Sequence, residues 1–481
     1  MHGENGQEIS VGMLLRRMAV LLTLSISVAV GAAYIGLEMH QCVAVGVFLA
    51  IILGTLFFWT FRLAIAFIGV AVLIFTKSLN IPQFVESSAL PVILFLAGMM
   101  IIVGALRDLG FFTWVVQVIV SMPRITGIKF IVAVSVTSAL LACAVDEVTS
   151  IIFISALVFQ VCDRLKLNPM PYIIICVLCT NVGSAGTMLG NPVGIYIGTQ
   201  AGLAFQDFIV WAFPVMLVAL AVTVIVTVLW YRSELRLFDE RLRERLSRNL
   251  SLAPRVEVPY RSGLILLTLT IAFIASHHPL EKALGLSPNS ILLIAPLVCS
   301  GIIMILKRER ARHYVEAEVD WWTLLFFMLL FAIAGTLEHT GVTEFAAHKL
   351  AQGFGRSVTV LVPVIMATTA IGSAFVDNVI FVAAFSPVIK ELGKEVTAMP
   401  LWWALLFGAC FGGNITMIGS TANIVALGLL EKHSRTSVQF FQWFKIGAAS
   451  ALVACLVAWV LLMFLAPYMP EIAAHAAVGG H

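Results

Sequence analysis

The sequence predicts an all-α integral membrane protein with about eleven transmembrane helices and two re-entrant hairpins, arranged as an inverted repeat. Three observations carry this expectation. Hydrophobic residues make up 60% of the 481 positions and charged residues only 11%, where a soluble domain has roughly 25% charged residues. Two apolar segments, 130–161 and 358–389, are each 32 residues long, which suits neither one span nor two. Short motifs also recur along the chain at offsets of 231 and 229 residues.

The composition sets the class. Mean hydropathy is +1.02, and many runs approach the ~20 apolar residues that cross a bilayer as a helix. No stretch is polar enough for a soluble domain of any size, and there is no basic, aromatic-rich patch for nucleic acid. The net charge of +3 is small, so its placement matters more than its size. The eight cysteines are scattered, nearly all in apolar runs, which argues against a disulfide framework. Cys176 and Cys179 form a CxxC that reads as two small buried hydrophobes. The first apolar run lacks a small-residue cleavage site and reads as a retained span.

Full spans are expected near 18–37, 43–60, 62–77, 89–107, 171–200, 209–230, 263–277, 288–306, 322–337, 400–430 and 441–466. Basic residues orient them. Arg16 and Arg17 precede the first span, and the loop 231–262 carries Arg232, Arg236, Arg241, Arg243, Arg245, Arg248, Arg255 and Arg261. Lys307, Arg308, Arg310 and Arg312 follow the eighth span, and Lys432 and Arg435 the tenth. All fall on one side if the N-terminus is cytoplasmic, which leaves the tail 467–481 outside. The organisation expected is N-terminal scaffold spans (1–88), a first repeat (89–230), an Arg-rich cytoplasmic loop (231–262), connecting spans (263–321) and a second repeat (322–466).

The segment 130–161 would be about 48 Å long as one helix at 1.5 Å per residue, too long for a ~30 Å core. Arg124 and Lys129 flank one end, Arg164 and Lys166 the other, which puts both ends in the cytoplasm. A hairpin of two half-length helices follows, with Asp146 and Glu147 at its tip. The segment 358–389 has the same length and carries Asp377 in "AFVDNVIF".

The two segments belong to a duplication. Asp377 aligns with Asp146 at 377 − 146 = 231, and "GTLEHTGV" (335–342) aligns with "GALRDLGF" (104–111) at 231. "ITMIGST" (415–421) aligns with "GTMLGNP" (186–192), and Gly412 with Gly183, at 229. An odd number of full spans separates the copies, so the second enters the membrane upside down. Inverted repeats with broken helices and a midplane site are the pattern of secondary transporters.

Two further breaks lie within spans, at Thr180–Gly194 ("TNVGSAGTMLGNPVG") and Phe411–Val425 ("FGGNITMIGSTANIV"). Glycine costs a helix about 1 kcal/mol and proline about 3, and a broken helix frees N–H and C=O groups for ions. A carboxylate at a helix centre costs roughly 2.5–3.5 kcal/mol on insertion scales. With no Lys or Arg nearby in sequence to pair them, Asp146, Glu147 and Asp377 are expected to exchange H+ or Na+. The plainer reading is a buried network satisfied by backbone donors at the tips.

Other candidates carry less. Glu338 and His339 end a span and read as solvated loop. His277 and His278 read as an external turn. Trp321, Trp322, Trp402 and Trp403 read as interfacial anchors. Orientation and lipid headgroup contact account for the Arg-rich loop.

"AVDEVTSIIF" with "NVGSAGTMLGNP", and "AFVDNVIF" with "LWWALLFGACFGGNITMIGSTANIV", resemble the ion transporter superfamily over about residues 40–466. The branch they resemble most holds arsenite permeases, NhaD-type sodium–proton antiporters and the melanosomal P protein, with citrate and dicarboxylate carriers further off. The resemblance implies a scaffold, a moving transport domain with two hairpins, an elevator motion and a homodimer. It implies that substrate and coupling ion lie among Asp146, Glu147, Thr149, Asn181, Ser184, Thr187 and Asn191 of the first copy. From the second copy it adds Asp377, Asn378, Asn414, Thr416, Ser420, Thr421 and Asn423. Here Glu147 stands where the branch usually has Asn, which adds a carboxyl group, and Val193-Gly194 stands where Pro-Asn is common.

The expected function is secondary-active transport of a small inorganic ion coupled to H+ or Na+, by an arsenite or oxyanion permease or a Na+/H+ antiporter. The alternatives are a Na+-coupled citrate or dicarboxylate symporter and, less well supported, a passive channel. Neither HExxH nor GxGD is present, and no enzyme activity is expected. The expected partners are the lipid bilayer, which the resemblance implies is a prokaryotic inner membrane, and the small ion itself, with no organic cofactor.

Overall fold

The computed structural model describes residues 11–248, 258–434 and 437–470; Arg255, Arg435 and the tail beyond 470 lie outside them. The described residues form helices and no strand. An N-terminal group comprises α1 (Val11–Tyr34), α2 (Met39–Phe57), α3 (Arg62–Phe75) and the short α4 (Ile81–Ser87). The first repeat runs through α5 (Leu90–Asp108), α6 (Phe111–Val120), α7 (Gly127–Ala144), α8 (Glu147–Leu165), α9 (Met170–Ser184), α10 (Pro192–Ala201) and α11 (Phe205–Trp230). A connecting group follows: α12 (Arg232–Ser247), α13 (Arg261–Ala275), α14 (His277–Leu284), α15 (Ser290–Leu306) and α16 (Arg308–Glu318). The second repeat is α17 (Trp321–His339), α18 (Val342–Phe354), α19 (Val358–Ser373), α20 (Asn378–Leu392), α21 (Met399–Gly412), α22 (Thr421–Ser434) and α23 (Phe440–Leu465).

Eight of the described helices are long and apolar enough to cross a membrane, or up to eleven spans if each of three bent pairs counts as one. Local chemistry sets the boundaries. Proline at the first turn opens α5, α9, α10 and α21, where its missing N–H has no partner to lose. Gly110 and Gly341 join α5 to α6 and α17 to α18 at φ +74° and +79°, a left-handed turn that favours glycine.

The two copies repeat in three dimensions. In the first, the Thr187 hydroxyl donates to the Cys143 carbonyl and Gly183 packs on the backbone of Ala139. In the second, Thr416 donates to Ala374 O and Gly412 packs on Ala370. The inversion can be followed along the chain. Phe130 near the start of α7 lies against Tyr172 near the start of α9, ring centroids 6.5 Å apart. The two helices then run in parallel to the hairpin tip, where the Cys143 thiol donates to Gly183 O over 2.9 Å. There α9 breaks, and α10 continues past the tip to pack on α20, a limb of the other hairpin. Reciprocally, α22 packs on α8. The hairpins therefore approach each other from opposite sides.

Several expectations are corrected. The hairpin limbs are not half-length, since α7 and α8 have 18 and 19 residues. Hydropathy marks lipid, whereas helix ends are set by caps. Thr126 Oγ1 and the Asp239 carboxylate accept from the first N–H groups of α7, and α8 runs on to a left-handed Lys166. Trp402 and Trp403 are not interfacial anchors: both are buried, and Trp403 meets Phe208 edge-on at 4.9 Å. Trp321 and Trp322 are exposed. His277 and His278 begin α14 rather than lying in a turn, and His277 is buried with Nδ1 2.9 Å from Ile274 O. Glu338 and His339 form the last turn of α17, with Lys390 Nζ 3.7 Å from Glu338 and Ser87 Oγ 3.0 Å from His339.

The Arg-rich loop is largely the helix α12. Leu235, Phe238 and Leu242 recur at helical spacing and are buried, and α12 packs on both α7 and α8. The Phe238 ring stacks on Phe130 at 5.1 Å. This apolar stripe lies on protein, which the headgroup reading had left out. Replacing Phe238 by Ala is expected to cost about 3 kcal/mol and to open the Arg241–Arg243 stretch to trypsin. Unchanged cleavage and melting would show that α12 is not docked through this ring.

Candidate functional site

Four helices begin within one buried cluster, and the residues that cap or precede them are among those expected from sequence. Asp146 caps α8, its Oδ1 accepting from Thr149 N at 2.8 Å. Asn191 caps α10 through Gly194 N at 2.9 Å. Asp377 caps α20 through Val379 N at 3.0 Å. Ser420 precedes α22 and accepts from Ala422 N at 3.1 Å. Aligned peptide dipoles give each helix start a partial positive charge, so these termini favour anionic side chains and anionic ligands.

Asparagines join the copies. Asn181 Nδ2 donates to both Asn414 Oδ1 and Asn423 Oδ1 at 2.8 Å. Its Oδ1 lies 3.1 Å from Ser420 Oγ. Asn423 Nδ2 donates to Gly413 O and Thr416 O, and Asn414 Nδ2 to Leu178 O. The Gly413 and Thr416 carbonyls lie in the break between α21 and α22, and leaving such a group unmet would cost about 1–3 kcal/mol. Asn414, Asn423, Thr187 and Thr416 are thus spent on backbone. Ser184 donates to Asn181 O at 3.0 Å and accepts from Asn191 Nδ2 at 2.9 Å. Asn191 also reaches Cys410 Sγ, at 3.2 Å.

The carboxylates converge on two consecutive residues of the second break. Ser420 Oγ lies 3.3 Å from Glu147 Oε1, and Thr421 Oγ1 donates to Asp377 Oδ2 at 3.1 Å. Glu147 is buried, and its Oε2 makes no hydrogen bond. Thr149 is half-buried, its N–H and its side chain both serving the Asp146 carboxylate, and Asn378 is buried at the first position of α20. Among the described residues no group of three or more His, Cys, Asp or Glu could hold a metal ion.

Arg62 was missed by sequence reasoning. It opens α3, is buried, and places Nη1 3.7 Å from Asp377 Oδ2. Its guanidinium carbon lies 3.8 Å from the Trp59 ring centroid and 4.5 Å from that of Phe326. The signal available was a lone arginine between two apolar runs with no polar loop around it. With it the cluster holds three carboxyl groups and one fixed cation, a chemistry suited to a proton at the acids and an anion at the helix starts and Arg62.

Comparison with known proteins gives a consistent picture. A family model described as citrate transporter (CitMHS) matches residues 48–408. An uncharacterized transporter of Mycobacterium tuberculosis is 32% identical over 379 residues, covering 77% of this chain and 85% of the relative. The P protein of Homo sapiens is 26% identical over 444 residues, covering 76% of this chain and 52% of that protein. Among solved structures, the Alcanivorax borkumensis YdaH transporter is similar with a TM-score of 0.56 at 15% identity, covering 83% of this chain and 89% of that one.

Proposed function

The chain belongs to the citrate transporter family of the ion transporter superfamily, and on that premise we propose that it is a secondary-active carrier of a small ion coupled to H+ or Na+. One observation carries the coupling. A buried carboxylate oxygen, Glu147 Oε2, makes no hydrogen bond at the point where four helices begin, with the Ser184 and Asn191 side chains beside the carboxyl group. A carboxylate in that setting is stabilised by a proton or a bare cation. Asp377 and Asp146 extend the same acceptor surface.

The motion we propose is an elevator. The Thr187 and Thr416 bonds tie each hairpin tip to the broken helix of its own copy, which favours hairpins and broken spans moving together against a scaffold that includes α2 and α3. A homodimer, a cytoplasmic N-terminus and an external C-terminus belong to the same reading. The transported ion on this reading is an inorganic oxyanion such as arsenite, or Na+ itself in exchange for H+. A second reading, symport of citrate or a dicarboxylate with Na+, is favoured by Arg62 and by the helix starts, which supply the positive charge such a substrate needs.

Proton flux in proteoliposomes with a pre-set pH gradient, challenged in turn by Na+, Li+, arsenite and citrate, tests these readings. Flux evoked by one of them and lost in Asp377→Asn is the expected result. No response to any would sink the coupled reading for these substrates.

A further inference from the structure

We infer that Arg62 is the anion-recognition residue of this transport site, and that its ligand is an oxyanion, organic carboxylate or inorganic, that displaces Asp377 from it. The inference rests on the reading that this cluster carries the transported ion. The Arg62–Asp377 pair is unequal. Asp377 is satisfied without the arginine, since Oδ1 accepts from Val379 N and Oδ2 from Thr421 Oγ1. Arg62 is not: its buried Nε and Nη1 make no hydrogen bond, and the 3.7 Å to Asp377 Oδ2 is too long for one. The unmet demand is for acceptors, and a ligand that meets it carries oxygen lone pairs and negative charge.

The surroundings suit such a ligand. Trp59 and Phe326 lie against the guanidinium, which holds its plane and keeps water from its faces. A planar cation with several fixed donors pairs best with an anion presenting two oxygens. Asp377 and, further off, Asp320 offset part of the cost of burying the charge, but the guanidinium donors stay unfilled, which leaves room for a molecule that arrives and leaves. Glu147 Oε2 is the complementary unmet acceptor. One site therefore has an opening for an anion and another for a proton or cation.

The test is binding followed by intrinsic tryptophan fluorescence, with Trp59 against Arg62 as reporter and a Trp59→Phe variant to identify its signal. Purified protein is titrated with citrate and separately with inorganic phosphate, which distinguishes a carboxylate from an inorganic ligand. Saturable binding of one of them is expected, weakened roughly 100-fold in Arg62→Gln, the scale of a lost charge-assisted contact, and less in Arg62→Lys. Asp377→Asn, which removes the competitor and keeps the arginine, is expected to bind as tightly or more tightly, and it carries the test if Arg62→Gln fails to fold. No binding of either anion to the wild type, wild-type affinity in a folded Arg62→Gln, or loss of binding in Asp377→Asn would each overturn the inference. Proton flux in the same preparations separates the two ideas. Binding that depends on Arg62 without coupled flux sinks the coupling, whereas coupled flux with anion binding indifferent to Arg62 sinks only the role of Arg62.

Discussion

Glu147→Gln is expected to reduce coupled flux to the background of empty liposomes while leaving the fold intact. The amide has nearly the same shape, so packing on α22 is kept and Oε1 can still accept from Ser420 Oγ. What changes is the second atom. Oε2, with no hydrogen-bond partner in the structure, becomes an NH2 that can neither release a proton nor hold a cation. Uncoupled exchange of the substrate across the membrane should survive better than gradient-driven uptake, because the broken-helix cradle is untouched. A Gln variant that melts like the wild type and still couples would remove Glu147 from the mechanism. The position is informative because the resemblance implies Asn where this chain carries the Glu147 carboxyl group.

Gly183→Ala should fail in a different way, by preventing the hairpin from seating. A methyl group at Gly183 would run into the Cα, C and O atoms of Ala139. Backbone cannot step aside as a side chain can, so the cost should exceed the ~1–3 kcal/mol usual for an overpacked core. Moving α7 off α9 also stretches the Thr187 bond to Cys143 O, so transport should fall together with stability. Gly412→Ala meets Ala370 in the same way. Gly301→Ala is the control: it lies within α15 with nothing near its missing Cβ, and should be neutral or stabilising by up to about 1 kcal/mol. Equal thermal midpoints for Gly183→Ala and Gly301→Ala would refute the close-packing account.

Much of this site could be read from the chain because its chemistry contrasts with its surroundings. Asp146, Glu147 and Asp377 stand out in runs of apolar residues, and the glycine and asparagine clusters interrupt helices that are otherwise greasy. Sequence could not tell which polar side chains are spent on backbone. Asn414 and Asn423 look like ligands until their bonds to Leu178 O, Gly413 O and Thr416 O are seen. Arg62 escaped because it lies 377 − 62 = 315 positions from its partner, at a boundary between spans where an arginine ordinarily faces headgroups. Trp402 and Trp403 escaped because hydropathy does not distinguish a helix buried all round by protein from one facing lipid.

The repeat offset changes between hairpin tip and helix break, from 377 − 146 = 231 to 412 − 183 = 229. Two positions have therefore gone missing in the second copy between its tip and its break. Within a helix such a deletion would turn everything beyond it by about 200°, at 100° per residue, and the break would face away from the tip. Instead α20 is four residues shorter than α8, 15 against 19. The bend after it is two residues longer, 393–398 against 166–169. The drift between the copies was absorbed at the outer ends of the hairpins, with the phase of the inner ends preserved. Those two bends are accordingly where the chain should accept inserted residues, such as an epitope or a fluorophore tag, without losing its alignment at the centre.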